Sequence, residues 1–99
     1  MKSYAFSRRD KNHGELVTAL EKLGCTVMDL SAVGEGCPDI VVGFRGVNFL
    51  AEIKSGKSKL RPGQLSFKIW WKGARVYILR TSSDCLNMLK CSRTYTPQT

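Results

Sequence analysis

Two carboxylates and one ammonium group, Asp39, Glu52 and Lys54, are the residues of this chain best spaced to do chemistry together. Asp39-Ile40-Val41-Val42-Gly43-Phe44 and Val47-Asn48-Phe49-Leu50-Ala51-Glu52-Ile53-Lys54 both read as strands, being rich in β-branched and aromatic residues. Arg45-Gly46 between them suits a two-residue hairpin turn, with glycine supplying the positive φ that such turns need. With that turn Phe44 faces Val47, and stepping outward pair by pair brings Asp39 opposite Glu52, their Cβ atoms about 5 Å apart on one face. Lys54 lies two residues further on and projects to the same face. The other face collects Ile40, Val42, Phe44, Phe49, Ala51 and Ile53, all apolar. A one-residue slip would drive the charges into the core, so the pattern itself fixes the register.

Adjacent carboxylates repel one another unless a cation lies between them. Hard oxygen ligands in this arrangement suit Mg²⁺ or Mn²⁺. Such an ion polarises a phosphodiester and acidifies a bound water, and Lys54 could position or deprotonate that water or stabilise charge developing on the phosphate. A main-chain carbonyl after Asp39 or Glu52 is a further candidate ligand. The competing reading is structural: Glu-x-Lys in a strand is most often half of a cross-strand salt bridge. Asp39, in register and preceded by a proline, brings the metal reading level with it.

The elements that would position these residues follow from periodicity. A first helix is expected over Ser7 to Leu23, with Leu16, Leu20 and Leu23 at helical spacing. Ser7 with Asp10, or Asn12 with Glu15, could cap it, and Gly24 could end it. Cys25 to Leu30 reads as a short strand before the two strands of the hairpin. Ser55 to Arg61 is a basic loop, and Pro62 suits the first turn of a second helix reaching about Lys72, with Leu65, Phe67 and Ile69 as core candidates. Ala74 to Arg80 is a fourth strand. Ser82 or Ser83 can cap a last helix ending near Lys90. The expected order is αβββαβα, an α/β fold with a mixed four-stranded sheet flanked by helices. One domain over residues 1–91 and a polar, frayed tail over 92–99 complete the expectation.

Lys and Arg total 16 against 8 acidic residues, a net charge of +8, which favours a polyanion as partner because each neutralised phosphate releases counterions. No stretch approaches the roughly 20 apolar residues of a membrane span, and the N-terminal segment has no signal-like apolar core, so an intracellular protein is expected. None of the four cysteines forms a CxxC pair and the single His13 stands apart from them; zinc has little support, and the thiols are expected to be small buried hydrophobes. His13 is expected on an exposed helix face with no role. Trp70 and Trp71 are adjacent on a helix and cannot face one core. One of them is expected to be buried and the other to stack on a base or a partner copy.

"GCPDIVVG" followed by "AEIKSGKSKLRPGQ" resembles the PD-(D/E)xK nuclease signature, and more narrowly the VRR-NUC (virus-type replication-repair nuclease) family. The resemblance runs from about Glu15 to Leu89. It implies a restriction-endonuclease-like αβββαβ core and a divalent-metal-dependent nuclease with Asp39, Glu52 and Lys54 at its centre. It also implies that Glu15 is the helical acid near the metal and that Gln64 is a helical residue reaching the active site; the competing readings are a cap or solvated acid for Glu15 and an exposed helix residue for Gln64. Stand-alone phage members are similar to Holliday-junction resolvases that work as homodimers, in the host cytoplasm where phage-encoded. Arg61 and Gly63 depart from the Thr or Ser and the acid that relatives often carry, which predicts an altered helix start.

Lys57, Lys59 and Arg61 follow the candidate strand closely enough to hold DNA backbone, though a charged loop is more often merely solvated. The function expected is therefore a structure-specific DNA endonuclease, a Holliday-junction resolvase acting as a homodimer on four-way DNA. Two alternatives stand beside it: a less selective nickase or restriction-like nuclease, and a non-catalytic DNA-binding module. Clustered acids facing phosphate argue against the last.

Overall fold

The computed structural model describes residues 12–94. Its elements are α1 (His13–Lys22), β1 (Thr26–Asp29), β2 (Ile40–Phe44), β3 (Val47–Ile53), α2 (Pro62–Trp70), β4 (Val76–Leu79) and α3 (Ser82–Lys90), followed by a 3-10 turn over Cys91–Thr94. The strands form one mixed sheet in the order β1-β2-β3-β4, antiparallel except for the parallel β3–β4 pair. A parallel pair requires a crossover, which α2 and its flanking loops supply. The 3-10 turn carries helical structure into the expected tail. Ser7 and Asp10, one of the two capping pairs considered for the first helix, lie outside the described residues.

The hairpin register is the one that the alternation dictates: Phe44 pairs with Val47 and Ile40 with Ala51. Arg45 and Gly46 have φ of 51° and 81°, the two positive values of a type I′ turn, whose twist matches that of the flanking strands. The apolar face then meets the helices. Ile40, Val42, Phe49, Ala51 and Ile53 are buried with Leu16 and Leu20 of α1 and Cys85, Met88 and Leu89 of α3. Phe44 packs at the border of this cluster. α1 and α3 touch each other as well as the sheet, so they form a single layer on that face.

Several expectations change. His13 is buried, not exposed. Cys25 and Cys85 are buried as expected, whereas Cys37 is half-buried and Cys91 exposed. α3 is capped by Thr81 rather than by Ser82 or Ser83: Thr81 Oγ1 accepts the Asp84 N–H at 3.2 Å, and Asp84 Oδ2 accepts the Thr81 N–H at 3.1 Å, a reciprocal capping box. The largest change is at α2. None of its side chains is buried; Leu65 and Ile69, expected in the core, are exposed, Ile69 by 81%. α1 and α3 already fill the apolar side of the sheet, leaving α2 no core to enter. Neither tryptophan is buried, and Trp70 is 65% exposed.

Candidate active site

Asp39 sits one residue before β2 and Glu52 one residue before the end of β3. Continuing the register by one step beyond Ile40–Ala51 brings them opposite each other. The Asp39 carboxylate is held across the hairpin, where its Oδ2 accepts the Ile53 N–H at 2.8 Å. Its backbone carbonyl accepts the Leu30 N–H, also at 2.8 Å. Asp39 is thus tied to β3 and to the segment after β1, which fixes the direction of its side chain.

Glu52 is only 2% exposed. Its carboxyl group is pushed up to about 9, first by burial, then by its hydrogen bond with Asp39 and by that residue's charge; Lys54 and then Arg61 pull the other way. A carboxyl group buried beside another acid keeps its proton more readily when no cation is present. Among the described residues Glu52 Oε1 is buried with no hydrogen-bond partner. A buried acceptor left without a partner is costly, and a bound cation or water is the kind of group that would offset that cost.

Lys54 follows directly on β3, with 7% exposure. Its N–H donates to Leu79 O at 3.0 Å, extending the parallel ladder. Its carbonyl accepts from Asn12 Nδ2 at 3.0 Å, and the same amide donates to Arg80 O at 2.8 Å. Asn12 therefore clips together the ends of the two parallel strands beside the site. It precedes α1 but makes no side-chain cap there, so the Asn12–Glu15 capping pair is not formed. Nothing in local sequence distinguishes a capping asparagine from one whose amide spans two strand ends.

Glu15 is exposed on the first turn of α1, and among the described residues no group of three or more His, Cys, Asp or Glu side chains could hold a metal. The structure brings Asp39, Glu52 and Lys54 together and does not add Glu15. Gln64 is also engaged elsewhere. Its Oε1 accepts the Arg61 N–H at 2.8 Å, closing the start of α2, which was expected to be altered. A guanidinium has no acceptor with which to return such a bond, so only half of a capping box forms. No hydrogen bond from Gln64 to the carboxylates is found among the described residues.

Arg61 is close enough for its charge to act on Glu52, while Lys57 and Lys59 lie exposed on the loop before it. Arg80, not singled out by the sequence, donates from its guanidinium to Gly56 O at 3.0 Å and steadies that loop. Cys37, two residues before Asp39, has its thiol pushed up by burial first and then by the charges of Glu52 and Asp39. It therefore lies beside the acids, on the loop that leads into β2.

The donor set fits Mg²⁺ or Mn²⁺. Mg²⁺ binds through one or two carboxylates and keeps several waters, so it needs no third protein acid. The unpartnered Oε1 of Glu52 is the observation that supports this fit. Among the described residues no helix is long and apolar enough to cross a membrane. Compared with models of known protein families and with curated proteins, the chain matches none.

Proposed function

We propose that this chain is a metal-dependent DNA endonuclease on a restriction-endonuclease-like core, similar to the VRR-NUC family, with Asp39, Glu52 and Lys54 as its working residues. The observation that carries the reading is the buried, unpartnered Glu52 Oε1 beside the braced Asp39 carboxylate. Such a pair is costly in an apo protein, and a cation between the two acids would offset that cost. Asp39 and Glu52 would hold the ion, which supplies Lewis-acid polarisation of the phosphodiester and a more acidic water.

The chain's own groups account for the rest. Hydrolysis forms one P–O bond from water and breaks another to the sugar oxygen. The water must lose a proton and the phosphate gains charge as this happens. Lys54 is held rigidly by its main chain at the end of β3, where its ammonium can orient that water or stabilise the charge on the phosphate. Arg61, Lys57 and Lys59 supply cations for flanking phosphates, in keeping with the net charge of +8.

Branched DNA as substrate and a homodimer as the working form extend the same proposal. One domain has one metal site, and two coordinated cuts in a roughly two-fold junction need two copies in matching orientation. Leu65 and Ile69, one turn apart and exposed on α2, give a second copy an apolar stripe to cover.

The deciding experiment is cleavage of linear, flapped and four-way DNAs with Mg²⁺ or Mn²⁺, comparing wild type with Asp39→Ala and Glu52→Ala. Both variants are expected to bind DNA and fail to cut. A wild-type chain that binds all three DNAs and cuts none would be a DNA-binding module instead. Equal cutting of all three would leave a less selective nuclease.

A further inference from the structure

We propose that the groove between the 33–37 loop and α2 receives an unpaired nucleobase of the DNA, next to the phosphate held at Asp39 and Glu52. This rests on the nuclease reading above and names the feature by which the site would choose its substrate.

The groove has a volume of about 640 Å³ and is lined by Val33, Gly34, Cys37, Gly63, Phe67 and Trp70. At one end is Cys37, separated from Asp39 only by Pro38. From there it follows α2; Gly63 and Trp70 are roughly 10 Å apart along the axis by helical rise. The 33–37 loop approaches the start of α2 closely, since a Cβ on Gly36 would overlap the Gly63 carbonyl. Cys37 thus links the groove to the segment that carries Asp39, and the aromatic pair lies further along α2.

Its chemistry suits a base. Phe67 and Trp70 meet edge to face, with centroids 5.7 Å apart at 66°. Trp71, outside the lining, stacks on Phe67 at 5.4 Å and 15° and so buttresses it. Trp70 stays 65% exposed despite these contacts. A supported but open aromatic surface is how proteins take up bases irrespective of sequence, because every base has a π-face. One end is cationic: Arg61 lies two residues before Gly63, the groove's first helical residue. A phosphate beside a seated base would find a partner there, which an apolar peptide would not require. Glu35, the acidic residue of the lining, can accept from an exocyclic amine.

The occupant must be unpaired, because a base inside a duplex has both faces covered by its neighbours. A second copy of the chain is the lesser fit, since the Leu65–Ile69 stripe lies on a different side of α2 from Gly63, Phe67 and Trp70 by helical spacing. The groove would thus favour flaps, loops or junction centres over continuous duplex.

The test is equilibrium binding without divalent cation, so that nothing is cut, to a flapped DNA carrying 2-aminopurine at its first unpaired position and to a fully paired duplex. Wild type is expected to quench the 2-aminopurine on binding. Trp70→Ala is expected to remove the quench and weaken flap binding about tenfold, equivalent to about 1.4 kcal/mol, while duplex binding stays within about twofold. Trp70 is exposed, so the variant keeps its fold; Trp71→Ala should give a smaller loss. Unchanged flap affinity in Trp70→Ala, or equal losses on flap and duplex, overturns the proposal. So does sedimentation showing that Trp70→Ala converts a dimer to a monomer, which would make the groove an interface between copies. A chain that quenches 2-aminopurine but cuts nothing when Mg²⁺ is added keeps the groove and removes the nuclease; no DNA binding at all removes both.

Discussion

Asp39 and Glu52 meet across a hairpin whose backbone braces one of them and buries the other. Asp39 Oδ2 is anchored 2.8 Å from the Ile53 amide, the residue directly after Glu52, while Glu52 Oε1 is buried without a partner. The asymmetry has a physical consequence. Asp39 has a main-chain donor for its carboxylate, whereas Glu52, removed from water and facing another acid, must hold a proton or a cation.

Stability without metal should therefore fall as pH rises. The Glu52 carboxyl moves from 4.5, its ordinary value, to about 9 in the folded chain. A raised folded-state value stabilises fully below the unfolded value and is lost as pH climbs through the folded one. Between those limits each pH unit removes up to about 1.4 kcal/mol. Thermal melts in chelator from pH 5 to 9 should show falling midpoints, and Glu52→Gln should flatten the slope. Mg²⁺ should raise the wild-type midpoint most at high pH, with proton release, because a bound cation replaces the proton. Midpoints that climb with pH in chelator and ignore Glu52→Gln would contradict the assignment.

Lys54 should matter in the chemical step more than in affinity. Its main chain is held by Leu79 and Asn12 and its side chain is nearly buried. Single-turnover cleavage by Lys54→Ala should drop about a hundredfold or more, with DNA binding little changed. Lys54→Met, which keeps most of the stem, separates lost charge from lost packing and should be equally slow. Normal single-turnover rates at saturating enzyme would sink the idea.

Lys57, Lys59 and Arg61 should contribute affinity without regard to sequence. Replacing all three by alanine is expected to weaken binding to every DNA and to flatten its salt dependence, by about 0.9 in slope for each phosphate no longer neutralised. Arg61→Ala should in addition lower cleavage, since its charge reaches Glu52. An unchanged salt slope in the triple variant excludes these residues as phosphate partners.

Gly36→Ala should destabilise the chain and disturb the site together. Gly36 has φ of 77°, and a side chain there would run into Gly63 at the start of α2. Backbone strain alone costs about 1–3 kcal/mol at such a position. Gly34, at φ 74° with open space around it, isolates that strain, so Gly34→Ala should cost less. Denaturant unfolding of the two variants measures the difference; equal losses would mean that the close approach of Gly36 to Gly63 contributes nothing.

The sequence by itself determined the hairpin and therefore the candidate site. Its alternation has a period of two and its turn has only two residues, so local rules set which residues face each other and on which side. Asp39, Glu52 and Lys54 followed from that, while the order of the elements was legible separately, from the periodicity and turn residues along the chain. What only the tertiary structure decided depends on neighbours distant in the chain. α1 and α3 occupy the apolar side of the sheet, which buries His13 and leaves Leu65, Ile69 and both tryptophans outside. Gln64 bonds to its own helix start instead of the carboxylates, and Glu15 stays in solvent, because helix periodicity gives a side chain's direction only relative to its own axis. Asn12 reads locally as a cap, yet its amide joins two strand ends some 42 and 68 residues away. Pairings of that separation are fixed by packing of the whole domain, which no local pattern encodes.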